Sequence, residues 1–152
     1  MITVGEKVKD FKLVDFEGVS HTLKEHLGKK VVVYFYPKDN TPGCTTQACS
    51  FRDYFKELKD LGVVLYGISA DDQKSHERFV KKYDLPFTLL SDSDLNVAKY
   101  FGAYGLKTSF GVKKMGLIRS TFLIDEKGCL SKIWLPAKAK TNAEEVFNYL
   151  TK

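Results

Sequence analysis

Residues 31–49 read VVVYFYPKDNTPGCTTQAC, and this stretch decides the fold. It opens with a run of apolar, β-branched and aromatic residues from Val31 to Tyr36, which is typical of a strand covered on both faces. A tight turn follows, and the chain then enters a helix at Cys44. A helix N-terminus has unpaired backbone N–H groups and the positive end of the helix dipole, and both stabilise a thiolate. The stretch therefore predicts a buried strand that delivers a reactive cysteine to the start of a helix.

Outward from this stretch, the hydrophobic pattern predicts alternating strands and helices. Residues 11–14 and 19–23 indicate an N-terminal β-hairpin. Downstream we expect helices over 45–61, ended by Gly62, over 72–83, capped by Asp71 or Asp72, and over 94–101. Strands are expected over 63–69, 87–90, 117–125 and 129–135. A capping box at 141–144 should open a last helix whose inward face holds Ala143, Val146, Phe147 and Leu150. Residues 102–116 contain four glycines and no clear period, which indicates a long loop. This order predicts an α/β domain compatible with a thioredoxin-like architecture.

Size and composition restrict the class of protein. A chain of 152 residues that is 43% hydrophobic has the size of one domain, residues 1–152, with a real core. The net charge of +5 comes from scattered lysines, so we expect no nucleic-acid partner. The longest apolar runs are strand-sized, which predicts no membrane partner. Three cysteines and the lack of an apolar leader predict a reducing, cytoplasmic compartment.

Cys44 is the strongest candidate for chemistry. A free cysteine is usually a buried structural residue, but the Thr41-Pro42-Gly43 turn and the helix start that follow each other here favour a reactive thiol. Thr41 and Gly43 can also be explained as turn residues with no part in the chemistry, because Thr41 precedes a proline and is pushed toward extended geometry. Pro37 is expected to end the strand and to shield the thiolate from water.

Cys49 lies five positions after Cys44. In an intact helix this spacing separates the two Cα atoms by roughly 8–9 Å, whereas a disulfide needs less than about 7 Å. Either Cys49 is a passive core residue, or the first turns of the helix unwind. Cys129 is interpreted as a small hydrophobic residue and His76 as a packed, hydrogen-bonded core histidine. The cysteines and histidines form no zinc-binding pattern, and we expect no metal, flavin or haem.

The chain resembles a known family at these same residues. Pro37-x-x-x-Thr41-x-x-Cys44 matches the active-site pattern of the peroxiredoxins, and Cys49 is similar to the resolving cysteine of the peroxiredoxin Q or bacterioferritin-comigratory subfamily. The resemblance extends from about Gly5 to about Leu150 and includes residues 87–92 and 119–125. It implies a thioredoxin-like fold, a central mixed sheet flanked by helices with an N-terminal β-hairpin extension.

The resemblance also implies an activity. A thiol-dependent peroxidase would reduce hydrogen peroxide and organic hydroperoxides through a sulfenic acid on Cys44. Cys49 would resolve it as a Cys44–Cys49 disulfide through helix unwinding, and thioredoxin or a similar dithiol would restore the thiols. Pro37, Thr41 and Arg119 would be active-site residues, with Thr41 bonding a substrate oxygen and the backbone N–H groups of Gly43 and Cys44 as donors. We expect a monomer, with a weak homodimer as the alternative.

The sequence leaves alternative interpretations for two points, the role of Arg119 and the overall function. Spacing alone favours an arginine near a strand end that reaches solvent, whereas the family's motif places its catalytic arginine here. A fixed cation would stabilise the thiolate and the leaving oxygen. The rival functions are a thioredoxin-like disulfide reductase or isomerase, which would normally use Cys-x-x-Cys, and a non-enzymatic thioredoxin-fold binding module.

Overall fold

The computed structural model describes residues 2–152, apart from the side chain of Ser109. Over these residues the chain forms nine strands and four helices. The strands are β1 Lys12–Val14, β2 Ser20–Thr22, β3 Val31–Phe35, β4 Val64–Ser69, β5 Thr88–Ser91, β6 Tyr104–Ser109, β7 Val112–Leu117, β8 Ser120–Ile124 and β9 Leu130–Trp134. The helices are α1 Pro42–Asp60, α2 Gln73–Tyr83, α3 Asn96–Phe101 and α4 Asn142–Leu150.

Seven strands form one mixed sheet in the order β2-β1-β5-β4-β3-β8-β9. The central strand β3 pairs with β4 in parallel and with β8 antiparallel. The N-terminal hairpin β1–β2 is present as predicted and joins the sheet through β5. A mixed sheet with helices against it confirms the predicted α/β class.

Side chains of β3 divide the core into two parts. Val31, Val33 and Phe35 belong to one buried cluster, which includes Phe101 and Phe122. The alternate residues Val32 and Tyr34, with Tyr36 just beyond the strand, belong to a second cluster that holds the buried residues of α1 and α4. Successive side chains of a strand point to opposite faces, so the strand is covered on both faces, as the run from Val31 to Tyr36 predicts.

Helix α1 begins three residues earlier than predicted. The expected start was Thr45, but the helix already includes Pro42, Gly43 and Cys44. Thr41 is the N-cap with extended backbone angles (φ −89°, ψ 156°), and proline at the first helical position has its φ preset for a helix. Cys44 therefore lies inside the first turn. The predicted stop at Gly62 is confirmed by its φ of +77°.

The predicted loop over residues 102–116 is wrong. This segment forms the antiparallel hairpin β6–β7, which is a separate two-stranded sheet. The predicted strand over 117–125 is wrong in its first part, because β7 ends at Leu117 and β8 begins at Ser120. Between them, the Ile118 N–H donates to the Ala103 carbonyl and the Arg119 carbonyl accepts from Ala137. Arg119 thus lies in a connection and not within a strand.

The two predicted helix caps have different outcomes. The Asp72 carboxylate accepts a hydrogen bond from the Ser75 N–H at 2.8 Å, so Asp72 caps α2 as one of the two expected residues. The capping box at 141–144 is wrong, because Thr141 makes no side-chain cap bond to the backbone. Its hydroxyl donates instead to the Glu145 carboxylate at 2.8 Å. The inward face of α4 is confirmed by the buried Ala143 and Val146.

Candidate active site

The segment from Pro37 to Thr41 connects the end of β3 to the start of α1. Asn40 takes a left-handed backbone conformation (φ 60°), which asparagine tolerates better than most residues. The Asp39 N–H donates to the Asp71 carboxylate at 2.8 Å. These features turn the chain sharply and place Cys44 on the first turn of α1, just beyond the C-terminal end of the central strand β3.

A buried polar cluster fixes this connection to α2. The Asp39 carboxylate accepts from the Tyr36 hydroxyl at 2.5 Å and from the Ser75 hydroxyl at 2.8 Å. It also lies 2.7 Å from His76 Nδ1, while His76 Nε2 lies 3.1 Å from the Leu90 carbonyl oxygen. His76 is fully buried and hydrogen-bonded at both ring nitrogens, which confirms its interpretation as a core histidine.

The same cluster contains atoms that could bind a metal ion. Ligand atoms of Asp39, Asp71 and His76 lie within 4.8 Å of one another. Each of them already has a hydrogen-bond partner in the protein, since Ser69 donates to Asp71 and His76 contacts Asp39. These contacts explain the cluster as an anchor for the Pro37–Thr41 segment.

Cys44 lies in a nearly closed environment with a cation against its sulfur. Its exposed fraction is 2%, and the Arg119 Nη2 donor lies 3.6 Å from Cys44 Sγ. Thr41 makes no side-chain cap bond, so the N–H groups of the first helical turn have no capping partner from that side chain. The Arg119 cation and the positive end of the helix dipole would therefore both stabilise a thiolate on Cys44.

Arg119 is held in place by its second terminal nitrogen. Nη1 donates to the Gln47 Oε1 atom at 2.8 Å. The guanidinium also packs over Gly43, where a Cβ atom would lie only 2.9 Å from Nη2. Glycine is therefore needed at position 43 for a close approach, in addition to any role of its N–H group.

Gln47 belongs to a buried polar chain that the sequence reasoning missed. Its amide Nε2 donates to Asn142 Oδ1 at 3.2 Å, and the Thr121 hydroxyl donates to the same oxygen at 2.6 Å. Gln47, Asn142 and Thr121 are all fully buried. A signal was present, because Gln47 falls on the apolar stripe of α1 between Cys44 and Phe51. A polar residue on such a stripe requires partners.

Thr41 and Pro37 lie on the segment that leads into α1, in different settings. The Thr41 hydroxyl donates to the Lys38 carbonyl at 2.8 Å, so its oxygen remains free to accept a hydrogen bond. Its predicted bond to a substrate oxygen stays a prediction. Pro37 lines a cavity of about 520 Å³ together with residues of the β6–β7 hairpin, among them Lys107, Lys114 and Met115.

The structure does not bring the cysteines together. Cys44, Cys49 and Cys129 are all free thiols. Cys44 and Cys49 lie on the continuous helix α1, where five residues correspond to a Cα separation of roughly 8–9 Å. Cys129 pairs with Lys7 in an isolated bridge away from α1.

Tyr34 forms the inner wall behind α1. Its ring stacks on Phe51 with centroids 4.7 Å apart. Burial raises the pKa of Tyr34 well above its usual value, and the neighbouring Cys44 adds to this shift. Tyr34 thus stays neutral behind α1.

No helix within residues 2–152 combines the length and the hydropathy that crossing a bilayer requires.

Comparison with known proteins identifies the family. Residues 4–133 match the AhpC/TSA family. The chain is 48% identical to a putative peroxiredoxin bcp of Coxiella burnetii, over 98% of this chain and 99% of that protein. It is 44% identical to peroxiredoxin Bcp of Bacillus subtilis, over 98% and 95% of the two chains.

A solved structure agrees with these relatives. This structure is of the bacterioferritin comigratory protein of Xanthomonas campestris and was solved to study the alkyl peroxide reduction activity of that protein. It superposes with a TM-score of 0.87 at 35% identity, and the match covers 93% of this chain and 90% of that chain. The thioredoxin-like fold predicted from the sequence is thereby confirmed. By its sequence, its fold and the residues around Cys44, the chain belongs to the AhpC/TSA family, within the bacterioferritin-comigratory or peroxiredoxin Q group of peroxiredoxins.

Proposed function

We propose that this chain is a thiol peroxidase that reduces hydrogen peroxide and organic hydroperoxides through Cys44. The observation that supports this most directly is the 3.6 Å contact between Arg119 Nη2 and Cys44 Sγ at the first turn of α1. Alkyl peroxide reduction, described for the Xanthomonas campestris relative, places alkyl hydroperoxides within the proposed substrate class.

In the first step, the Cys44 thiolate attacks one oxygen of the peroxide. The S–O bond forms while the O–O bond breaks, and the leaving oxygen takes up a proton and departs as water or an alcohol. Cys44 becomes a sulfenic acid. Arg119 and the N–H groups of Gly43 and Cys44 would stabilise the negative charge that develops on the leaving oxygen. The Thr41 hydroxyl oxygen would accept a hydrogen bond from the O–H of the bound hydroperoxide.

In the second step, the Cys49 thiol condenses with the sulfenic acid. An S–S bond forms and water leaves, and this requires the first turns of α1 to unwind, because the intact helix holds the two residues too far apart. A dithiol such as thioredoxin then reduces the Cys44–Cys49 disulfide by thiol–disulfide exchange. Pro37 would shield the thiolate side of the site from water.

We further propose that residues 1–152 act as one thioredoxin-like domain, as a monomer, in the cytoplasm. The continuous seven-stranded sheet with a buried cluster on each face supports the single domain. The small number of cysteines, three in 152 residues, supports a reducing compartment.

The test is peroxide consumption with thioredoxin, thioredoxin reductase and NADPH. Cys44→Ser should abolish turnover with hydrogen peroxide and with an alkyl hydroperoxide. Cys129→Ser is the matched control and should retain it, since Cys129 lies away from α1. Turnover by Cys44→Ser close to that of the control would show that another group is the nucleophile.

A further inference from the structure

The β6–β7 hairpin exposes an unusual amount of apolar surface. Leu106, Val112 and Met115 have exposed fractions of 61%, 63% and 53%, and Phe110 at the tip reaches 103%. The Phe110 side chain is therefore fully open to solvent. The hairpin is also a separate two-stranded sheet, and large apolar groups exposed together mark an interaction surface.

The segment of sequence that contains the hairpin carries the excess positive charge of the chain, and three of its five cations lie on the hairpin itself. Residues 95–124 contain no aspartate or glutamate, whereas the whole chain contains 19. The cations of this segment are Lys99, Lys107, Lys113, Lys114 and Arg119. Their number equals the net charge of +5 of the entire chain, so the remaining residues are balanced. An electrostatic partner of this hairpin must therefore be anionic.

The register shows that the apolar groups surround the end of the hairpin. Leu106 pairs with Met115, and Ser109 pairs with Val112. Cross-strand partners share a face and successive residues alternate, so Leu106 and Met115 lie on one face and Val112 on the other. With Phe110 at the tip, apolar side chains point in three directions. A flat protein partner would cover one face, whereas a fluid apolar phase would cover all of them.

We propose that the β6–β7 hairpin docks on an anionic lipid surface, with Phe110 and Val112 in the boundary between headgroups and acyl chains. Lys113 and Lys114 follow the tip residue Gly111 by two and three positions, or roughly 7–10 Å along the strand. Interfacial segments insert their apolar groups by about 5–10 Å. The two lysines would therefore lie at the level of the lipid phosphates.

A second copy of the chain fits this surface less well. Contact between two such hairpins would bring Lys107, Lys113 and Lys114 of both copies together without any acidic partner from the same segment. Anionic lipids, by contrast, attract each lysine near the surface. The proposal revises the expectation of no membrane partner, which rested on the lack of a segment long enough to span the bilayer.

Vesicle co-sedimentation tests the proposal with the full-length reduced protein. Vesicles of equimolar phosphatidylglycerol and phosphatidylcholine should bind it, while vesicles of phosphatidylcholine alone should bind much less. Phe110→Ser should weaken binding about tenfold or more through loss of apolar contact. The double variant Lys113→Gln/Lys114→Gln should weaken it by a similar factor, and added salt should do the same to the wild type.

Matched controls separate the hairpin from general charge and hydrophobicity. Val19→Ser removes an exposed apolar residue elsewhere, and Lys138→Gln/Lys140→Gln removes the same two charges elsewhere; both should bind like the wild type. All variants should give the circular dichroism spectrum of the wild type, which shows that they are folded.

A direct readout of insertion uses Phe110→Trp with brominated lipids. Its fluorescence should be quenched in anionic vesicles, while the fluorescence of Trp134 in the wild-type protein should not. No binding to anionic vesicles, or equal losses in hairpin and control variants, would overturn the proposal. So would hairpin variants that bind vesicles normally but are reduced slowly by thioredoxin, because the surface would then dock a protein.

Discussion

Arg119 connects the reactive sulfur to residues far away in the sequence. One terminal nitrogen contacts Cys44 and the other donates to Gln47, which in turn bonds Asn142 at the start of α4. A planar guanidinium offers two donors in a fixed fork. The side chain can therefore hold its position through one nitrogen while the other faces the developing charge.

This geometry predicts that position 119 needs both the positive charge and the forked shape of the guanidinium group. Arg119→Ala should slow the single-turnover oxidation of Cys44 by hydrogen peroxide about 10²–10³-fold, as loss of a preorganised donor does. Arg119→Lys should also be slow, because one ammonium group cannot bond Gln47 and face the sulfur in the same geometry. Stopped-flow measurement on the reduced protein gives the rate. Arg78→Ala, at an exposed position of α2, is the control. Equal rates in Arg119→Ala, Arg119→Lys and Arg78→Ala would remove Arg119 from the mechanism.

Gln47 is predicted to be a positioning residue that acts through Arg119. Gln47→Leu keeps the size of the side chain but loses the acceptor at 2.8 Å, so the guanidinium is no longer fixed. We expect the peroxide step to slow about tenfold or more, because small misplacements of catalytic groups are costly. In the Arg119→Ala background the same change should have almost no further effect on the rate. Full additivity of the two changes would indicate a purely structural role, and Thr46→Val, beside it on the exposed side of α1, should leave the rate unchanged.

At the scale of single elements, local chemistry was read correctly where neighbouring residues determine it. The strand before Pro37, the turn before Cys44 and the cap at Asp72 follow from residues close in sequence. The β6–β7 hairpin did not, because glycines hide its alternation. Gly105 and Gly116 are cross-strand partners, and the Lys107 side chain would lie 3.3 Å from a Cβ at Gly116. The contact with the neighbouring strand β6, and not the local sequence pattern, explains the glycine at position 116.

Helix α1 is predicted to unwind in the disulfide form. The intact helix separates Cys44 and Cys49 by more than a disulfide allows, so the first turns must open at a cost of a few kcal/mol, about that of other local openings. Opening also pulls Gln47 away from Arg119 and loosens the packing of Phe51 against Tyr34. Amide hydrogen exchange should show lower protection over residues 44–55 in the disulfide protein than in the reduced protein.

Cys49→Ser is the control for this prediction. It cannot form the disulfide, so its α1 should stay protected after one equivalent of peroxide. It should react once and then accumulate sulfenic and sulfinic acid on Cys44. Equal protection of residues 44–55 in the reduced and disulfide forms of the wild type, with the disulfide verified by mass, would contradict unwinding.

At the scale of the whole molecule, the sequence predicted the fold class better than the contacts of the site. The continuous apolar run of β3 and the amphipathic helices were sufficient for the α/β class, and the family resemblance implied the mixed sheet. The partners of Gln47 could not be derived, because Asn142 lies 95 residues away in sequence. The same holds for Arg119, whose contact with Cys44 spans 75 residues. Long-range contacts depend on the topology of the sheet, which the local pattern of a single sequence does not determine.

A second polar group, partly buried around Tyr66 of β4, also joins residues that are far apart in the sequence. His21 Nε2 lies 2.8 Å from the Asp15 carboxylate, so it donates there, and its Nδ1 lies 3.1 Å from the Tyr66 hydroxyl. Tyr66 then donates to His21 and accepts from His26 Nε2 at 2.5 Å. Each of these hydrogen bonds therefore has one donor and one acceptor.

The stability of the whole molecule should therefore fall on mild acidification. Burial lowers the pKa of His26 from its usual value of 6.5. As the pH falls through that value, the unfolded chain binds a proton on His26 before the folded chain does, so the free energy of unfolding decreases until the lowered folded pKa is reached. Urea unfolding at about pH 7.5 and about pH 5.5 measures this loss. In His26→Gln the overall stability drops through the lost bond to Tyr66, but the difference between the two pH values should shrink. Lys24→Gln, an exposed change close by, should keep the wild-type difference, and an undiminished difference in His26→Gln would show that another group is responsible.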